Sequence, residues 1–157
     1  MNLSSKSFEE IQVFFEGKIE ELHEKYKSLF IIDPDSISGE YIATIYKLHS
    51  IRSEWMKAKT ALVKITRETQ KLYTSYYTKA KEGKVVVKRQ DQREVNRVFT
   101  SEYEIKEWIY TNINYQKIKL FKDYQEIICE YFDKLLESLS SKLKVVSYLQ
   151  NFDRVWK

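Results

Sequence analysis

The sequence predicts an all-α protein: a long helical hairpin with an additional N-terminal helix, assembling into a homo-oligomer. Three observations point there. The 157 residues include only three Gly and one Pro, fewer than the turns and bulges of a β fold consume. From Ser36 to Lys81, apolar or small residues recur at Tyr41, Ile45, Leu48, Ile51, Trp55, Ala58, Leu62, Ile65, Thr69, Leu72 and Tyr76. Their steps of three and four make a helical stripe about five heptads long. A second apolar stripe begins after residue 100 and is wider than one partner helix needs.

A first helix is expected over 5–29, with Phe8, Ile11, Phe15, Ile19, Leu22, Tyr26 and Leu29 on one face. Ser7 with Glu10 three residues later has the pattern of a capping box, and the exposed face is acidic. Asp33 and Pro34 follow as a cap and first-turn pair. They open the long helix of 36–81, which at ~1.5 Å per residue would span roughly 65–70 Å. The helical pattern stops at Gly83. The connector of 82–99 combines Val85, Val86 and Val87 with dense basic charge, and reads as extended or weakly ordered, with room for a short strand. A third helix is expected over 101–156, opened by Ser101 and Glu104 as a second capping box, with a possible break near 138–141. Its seam passes through Ile105, Trp108, Asn112 and Tyr115. It continues as Phe121, Tyr124, Ile128, Tyr131, Leu135, Leu139, Leu143, Val146 and Leu149, the residues expected to serve oligomerisation. The whole chain is expected to form a single helical domain.

Charge is segregated along the chain. Residues 1–40 hold four Lys against nine acids, residues 41–97 hold fourteen Lys and Arg against five acids, and residues 98–157 hold nine of each. A basic middle flanked by an acidic start points to a polyanionic partner.

Catalytic constellations are missing. His23 and His49 are isolated, no glycine-rich phosphate loop occurs, and Cys129 has no His near it in sequence. The lone cysteine excludes an intrachain disulfide framework and a multi-cysteine metal site. No run of about 18 apolar residues is present, and the N-terminus resembles neither a signal nor a transit peptide. The expectation is a cytoplasmic protein that is not an enzyme and needs no cofactor or metal.

Nucleic-acid chemistry fits the residues better. At 100° per residue Lys57, Lys64 and Lys71 fall on one face of the long helix, with Arg67 beside them and the apolar seam opposite. Cations every two turns can track a phosphate backbone. Farther along come Tyr73 and Tyr77, then Lys79, Lys81, Lys84, Lys88, Arg89 and Arg93. Rings interleaved with cations suit single strands, because bases stack on rings while Lys and Arg hold phosphates.

The order of these features resembles the UvsY recombination mediators of tailed phages. An amphipathic start leads through Ile32-Asp33-Pro34-Asp35 into a long helix carrying Leu48-His49-Ser50 and Trp55. That helix then reaches Lys71 and the pair Tyr76-Tyr77 before a Gly-containing turn. The likeness continues from Trp108 to Leu139 and through Leu143-Lys144-Val145-Val146 to Phe152. In the family's basic motif an Arg follows the Lys by two residues; here Lys71 matches and Tyr73 stands in the Arg position. The resemblance implies a ring assembled through the C-terminal helix. It also implies binding of single-stranded DNA and loading of a RecA-like recombinase onto strands coated by single-strand binding protein, in the cytoplasm of the host cell. The alternative is a coiled-coil scaffold or virion structural protein that touches no nucleic acid.

Overall fold

The computed structural model describes residues 6–88 and 94–155. Among the described residues the fold is all-α with a small two-stranded antiparallel sheet: α1 (Phe8–Tyr26), α2 (Ile37–Lys81), β1 (Val85–Lys88), β2 (Glu94–Arg97), α3 (Glu102–Thr111) and α4 (Ile113–Val155). Short 3₁₀ turns at Lys27–Phe30 and Pro34–Ser36 connect α1 to α2. The chain divides into two compact units, one of residues 1–8 and 63–123, the other of residues 9–62 and 124–157.

In the second unit α2 and α4 run antiparallel. Gln125 Nε2 donates to Ala58 O at 3.1 Å, Trp55 Nε1 to Asp133 Oδ1 at 2.7 Å, and Lys142 Nζ to Glu40 Oε2 at 2.8 Å. Residue numbers falling along α2 thus meet numbers rising along α4. Buried residues come from α1 (Ile11, Phe15, Leu22, Tyr26), from α2 (Leu48, Ile51, Ala58) and from α4 (Ile128, Phe132, Leu135, Leu139, Val146). Phe15 stacks on Tyr124 with centroids 5.0 Å apart, which seats α1 on α4. The connector is held by Lys142, whose ammonium donates to Leu29 O at 3.0 Å and Ile31 O at 2.6 Å as well as to Glu40. Asp33 caps the 3₁₀ turn, where its carboxylate accepts from Asp35 N, so α2 itself opens at Ile37.

In the first unit the end of α2 is set by Gly83, whose φ of 65° lies in the left-handed region. Lys84 N donates to Lys79 O and Gly83 N to Ala80 O, the paired bonds of a Schellman motif. Within the segment after Gly83, β1 and β2 pair antiparallel, with Val85 opposite Arg97 and Val87 opposite Val95. Val85 is buried while Val86 is exposed, the alternation a β-branched run adopts when one side faces a core. That core is Ala80, Val85, Ile105, Ile109 and Tyr115, ringed by Leu72, Tyr73, Tyr76, Tyr77, Val87, Phe99, Trp108 and Ile118.

The C-terminal region differs from the expected single helix. Asn112 is extended (φ −70°, ψ 124°) and separates α3 from α4. Its Oδ1 accepts from Asn114 N at 3.0 Å and its carbonyl from Gln116 N at 2.9 Å, so it is a helix cap rather than a seam residue. Conversely, α4 passes through 138–141 without a break. Ser140 Oγ donates to Leu136 O at 2.7 Å, and Leu139 is fully buried. Burial on that face outweighs the modest helix propensity of serine.

Candidate nucleic-acid interface

The first unit collects most of the basic residues singled out in the sequence. Lys64, Arg67, Lys71 and Lys79 on α2 are exposed, and so are Lys81 and Lys84 at its end. Among the described residues no ion pair engages Lys64, Arg67, Lys71 or Lys79, so their charge faces water. Lys81 pairs with Glu102 at 3.3 Å and Lys84 with Glu82 at 2.8 Å. Hydrogen bonding to Glu102 raises the Lys81 pKa above its ordinary value, and the bonds from Tyr77 and Lys81 lower that of Glu102. Lys88 ends β1; Arg89 and Arg93 lie outside the described residues.

The two tyrosines occupy a mixed position. Tyr73 and Tyr77 are half-buried and stack at 6.2 Å with their planes 16° apart. Tyr73 also meets Tyr110 at 6.4 Å and Tyr115 at 6.0 Å, so it belongs to the core rim. Tyr77 Oη donates to Glu102 Oε1 at 2.9 Å, and Lys81 Nζ stands 5.6 Å from its ring centroid. Sequence reading missed the more exposed rings, Tyr103 and Tyr110, both on α3. Lys119 Nζ stands 5.8 Å from the Tyr110 centroid. Their separation of seven residues, off the Ile105–Ile109 face, is the signal that marks them as outward. Arg97 lies over Phe99 at 4.9 Å and is a further exposed cation of this unit.

Lys57 belongs to the second unit, where it lines a cavity of about 390 Å³ with Lys18, Lys25, Glu21 and Glu54 over an apolar floor of Leu22, Ile128 and Phe132. Glu54 accepts from Lys25 at 2.6 Å and from Tyr26 at 2.5 Å. Burial works to raise the Glu54 pKa, yet these two bonds hold it below the ordinary value. Burial and the Glu54 bond push the Tyr26 phenol up to about 12.

On the expected oligomerisation seam, Ile128, Leu135, Leu139 and Val146 are buried within the second unit. Tyr124 stacks on Phe15, and Tyr131 Oη donates to Leu22 O at 3.3 Å. Phe121, in the first unit, and Leu143 are half-buried, and Leu149 is exposed. Among the described residues, the large apolar side chains of α4 that face solvent are Ile113, Ile127, Val145, Tyr148, Leu149 and Phe152. Among the described residues no group of three potential metal ligands gathers, and no helix is long and apolar enough to cross a membrane.

No family model matches the sequence, and no curated protein matches it in sequence. The fold does have a counterpart. The crystal structure of the bacteriophage T4 recombination mediator protein UvsY superposes with a TM-score of 0.68, covering 87% of this chain and 95% of that one at 13% identity. The chain has the UvsY fold.

Proposed function

We propose that this protein is a non-catalytic recombination mediator, binding single-stranded DNA and promoting replacement of single-strand binding protein by a RecA-like recombinase. The observation that carries the reading is the likeness to T4 UvsY over nearly the whole length of both chains. It is supported by the exposed cations of the first unit, above all Lys64, Arg67 and Lys71. Their spacing along one helix suits a phosphate backbone and carries no sequence information, as a mediator acting on any strand requires. Lys79, Lys81 and Lys84 extend the contact, with Lys57, Lys88, Arg89 and Arg93 as further phosphate ligands and Tyr73 and Tyr77 as stacking rings. Self-association through the exposed apolar residues of α4 would present several such patches to one strand and multiply a weak affinity.

The test is a titration of fluorescent oligothymidylate at several salt concentrations. The wild type is expected to bind, more weakly as salt rises. Replacing Lys64, Arg67 and Lys71 together by Ala removes three phosphate contacts and lowers the slope of log affinity against log salt by about two. No binding at low salt, or an unchanged slope in the triple variant, refutes the reading and leaves a helical scaffold. Equal or tighter binding to duplex DNA points instead to a duplex-binding regulator.

A further inference from the structure

One carboxylate oxygen of Glu102 receives two donors from α2: Tyr77 Oη at 2.9 Å and Lys81 Nζ at 3.3 Å. Lys106, one turn along α3, adds its positive charge to the same carboxylate. A phenol O–H and an ammonium converging on one anionic oxygen, with the charge of a second ammonium acting on the same group, are the kind of contacts a phosphate takes. Beside them opens a groove of about 230 Å³ lined by Ala80, Gly83, Phe99, Ser101 and Ile105, as well as by Lys81 and Glu102.

We propose that Tyr77, Lys81 and Lys106 form a phosphate-binding site whose place is held in the free protein by the carboxylate of Glu102. A phosphate of the DNA strand displaces that carboxylate; the identity of the ligand rests on the strand-binding reading above. The magnitudes favour exchange. The side chains of Lys81 and Glu102 are 50% and 64% exposed, so water and salt screen their pairing and hold it weak. A strand phosphate makes the same contacts and also releases condensed counterions, which an internal carboxylate does not. Glu102 lies in the first turn of α3 with its side chain in solvent, so it can swing aside by rotamer change alone. Until displaced, its charge opposes anions that bring no such gain. Glu102 is thus a negative determinant of the interface.

The experiment compares the full-length wild type with Glu102→Gln and Glu102→Ala, each titrated at low salt with oligothymidylate and, separately, with inorganic tripolyphosphate. Glu107→Gln, which removes the same charge elsewhere on α3, is the control. Both Glu102 variants are expected to bind both ligands about three- to tenfold more tightly, with Glu107→Gln near wild type. Adding Lys81→Ala to Glu102→Gln is expected to abolish the gain. The proposal is overturned if neither Glu102 variant gains affinity for tripolyphosphate, or if Glu107→Gln gains as much. A gain for tripolyphosphate in proteins that do not bind oligothymidylate keeps the phosphate site and rejects the strand reading.

Discussion

At the scale of single residues, Lys142 is the most consequential side chain outside the basic surface. It is 4% exposed, and its three hydrogen bonds tie two carbonyls of the connector and the Glu40 carboxylate to α4. A buried ammonium is tolerated only when each of its protons is satisfied, and here three acceptors supply that. Lys142→Met keeps much of the volume but leaves those acceptors without their donor. It is expected to destabilise the protein by about 2–4 kcal/mol, read from chemical denaturation. The pair also sets a pH dependence. Its hydrogen bond from Lys142 lowers the pKa of Glu40, so this contribution is complete above the ordinary glutamate value of 4.5 and is lost as pH falls below it. Denaturation at pH 7 and pH 3 is expected to show a smaller loss for Glu40→Gln than for wild type; equal losses would reject the assignment. Nothing in the sequence marked Lys142, because its acceptors lie more than a hundred residues away.

At the scale of elements, what was legible and what was not divides by the range of the interactions. The stripe of α2 and the caps at Asp33 and Ser101 are local patterns of spacing and side-chain oxygens, and they place helices within a residue or two. The separation of α3 from α4 is local too, but Asn112 also fitted the apolar register of its neighbours, and periodicity concealed a cap. Ser138, Ser140 and Ser141 presented the opposite case: a composition that suggests a break, in a helix held by buried Leu135, Leu139 and Val146. For the candidate site, the exposed cations of α2 followed from helical phase. The engagement of Tyr77 and Lys81 by Glu102 depends on how α3 returns to α2, which spacing does not encode. The turn between α2 and β1 is itself testable. Gly83 has φ 65° and open space where a Cβ would lie, so Gly83→Ala meets backbone strain without a clash. Its expected cost is about 1 kcal/mol, measured by denaturation. Gly83→Asn is expected to recover part of it, since asparagine tolerates the left-handed region.

At the scale of the whole molecule, the proposed assembly must draw on surface that the chain's own packing leaves uncovered. The buried part of the α4 seam serves the subunit's own core, so self-association is expected to use the outward residues Val145, Tyr148, Leu149 and Phe152 instead. Tyr148→Glu with Phe152→Glu is expected to convert an oligomer to a monomer in multi-angle light scattering at micromolar concentration, with helicity unchanged. A wild-type monomer under those conditions would dispose of the assembly claim. Cys129 gives the protein a different kind of usefulness. It is the chain's single thiol, it is buried in the second unit, and burial raises its pKa. Thiol-selective reagents attack the thiolate, so this group is nearly silent at neutral pH. A cysteine introduced at exposed Tyr103 would therefore react alone, and a dye attached there would report ligand arrival with the proposed phosphate ligands intact.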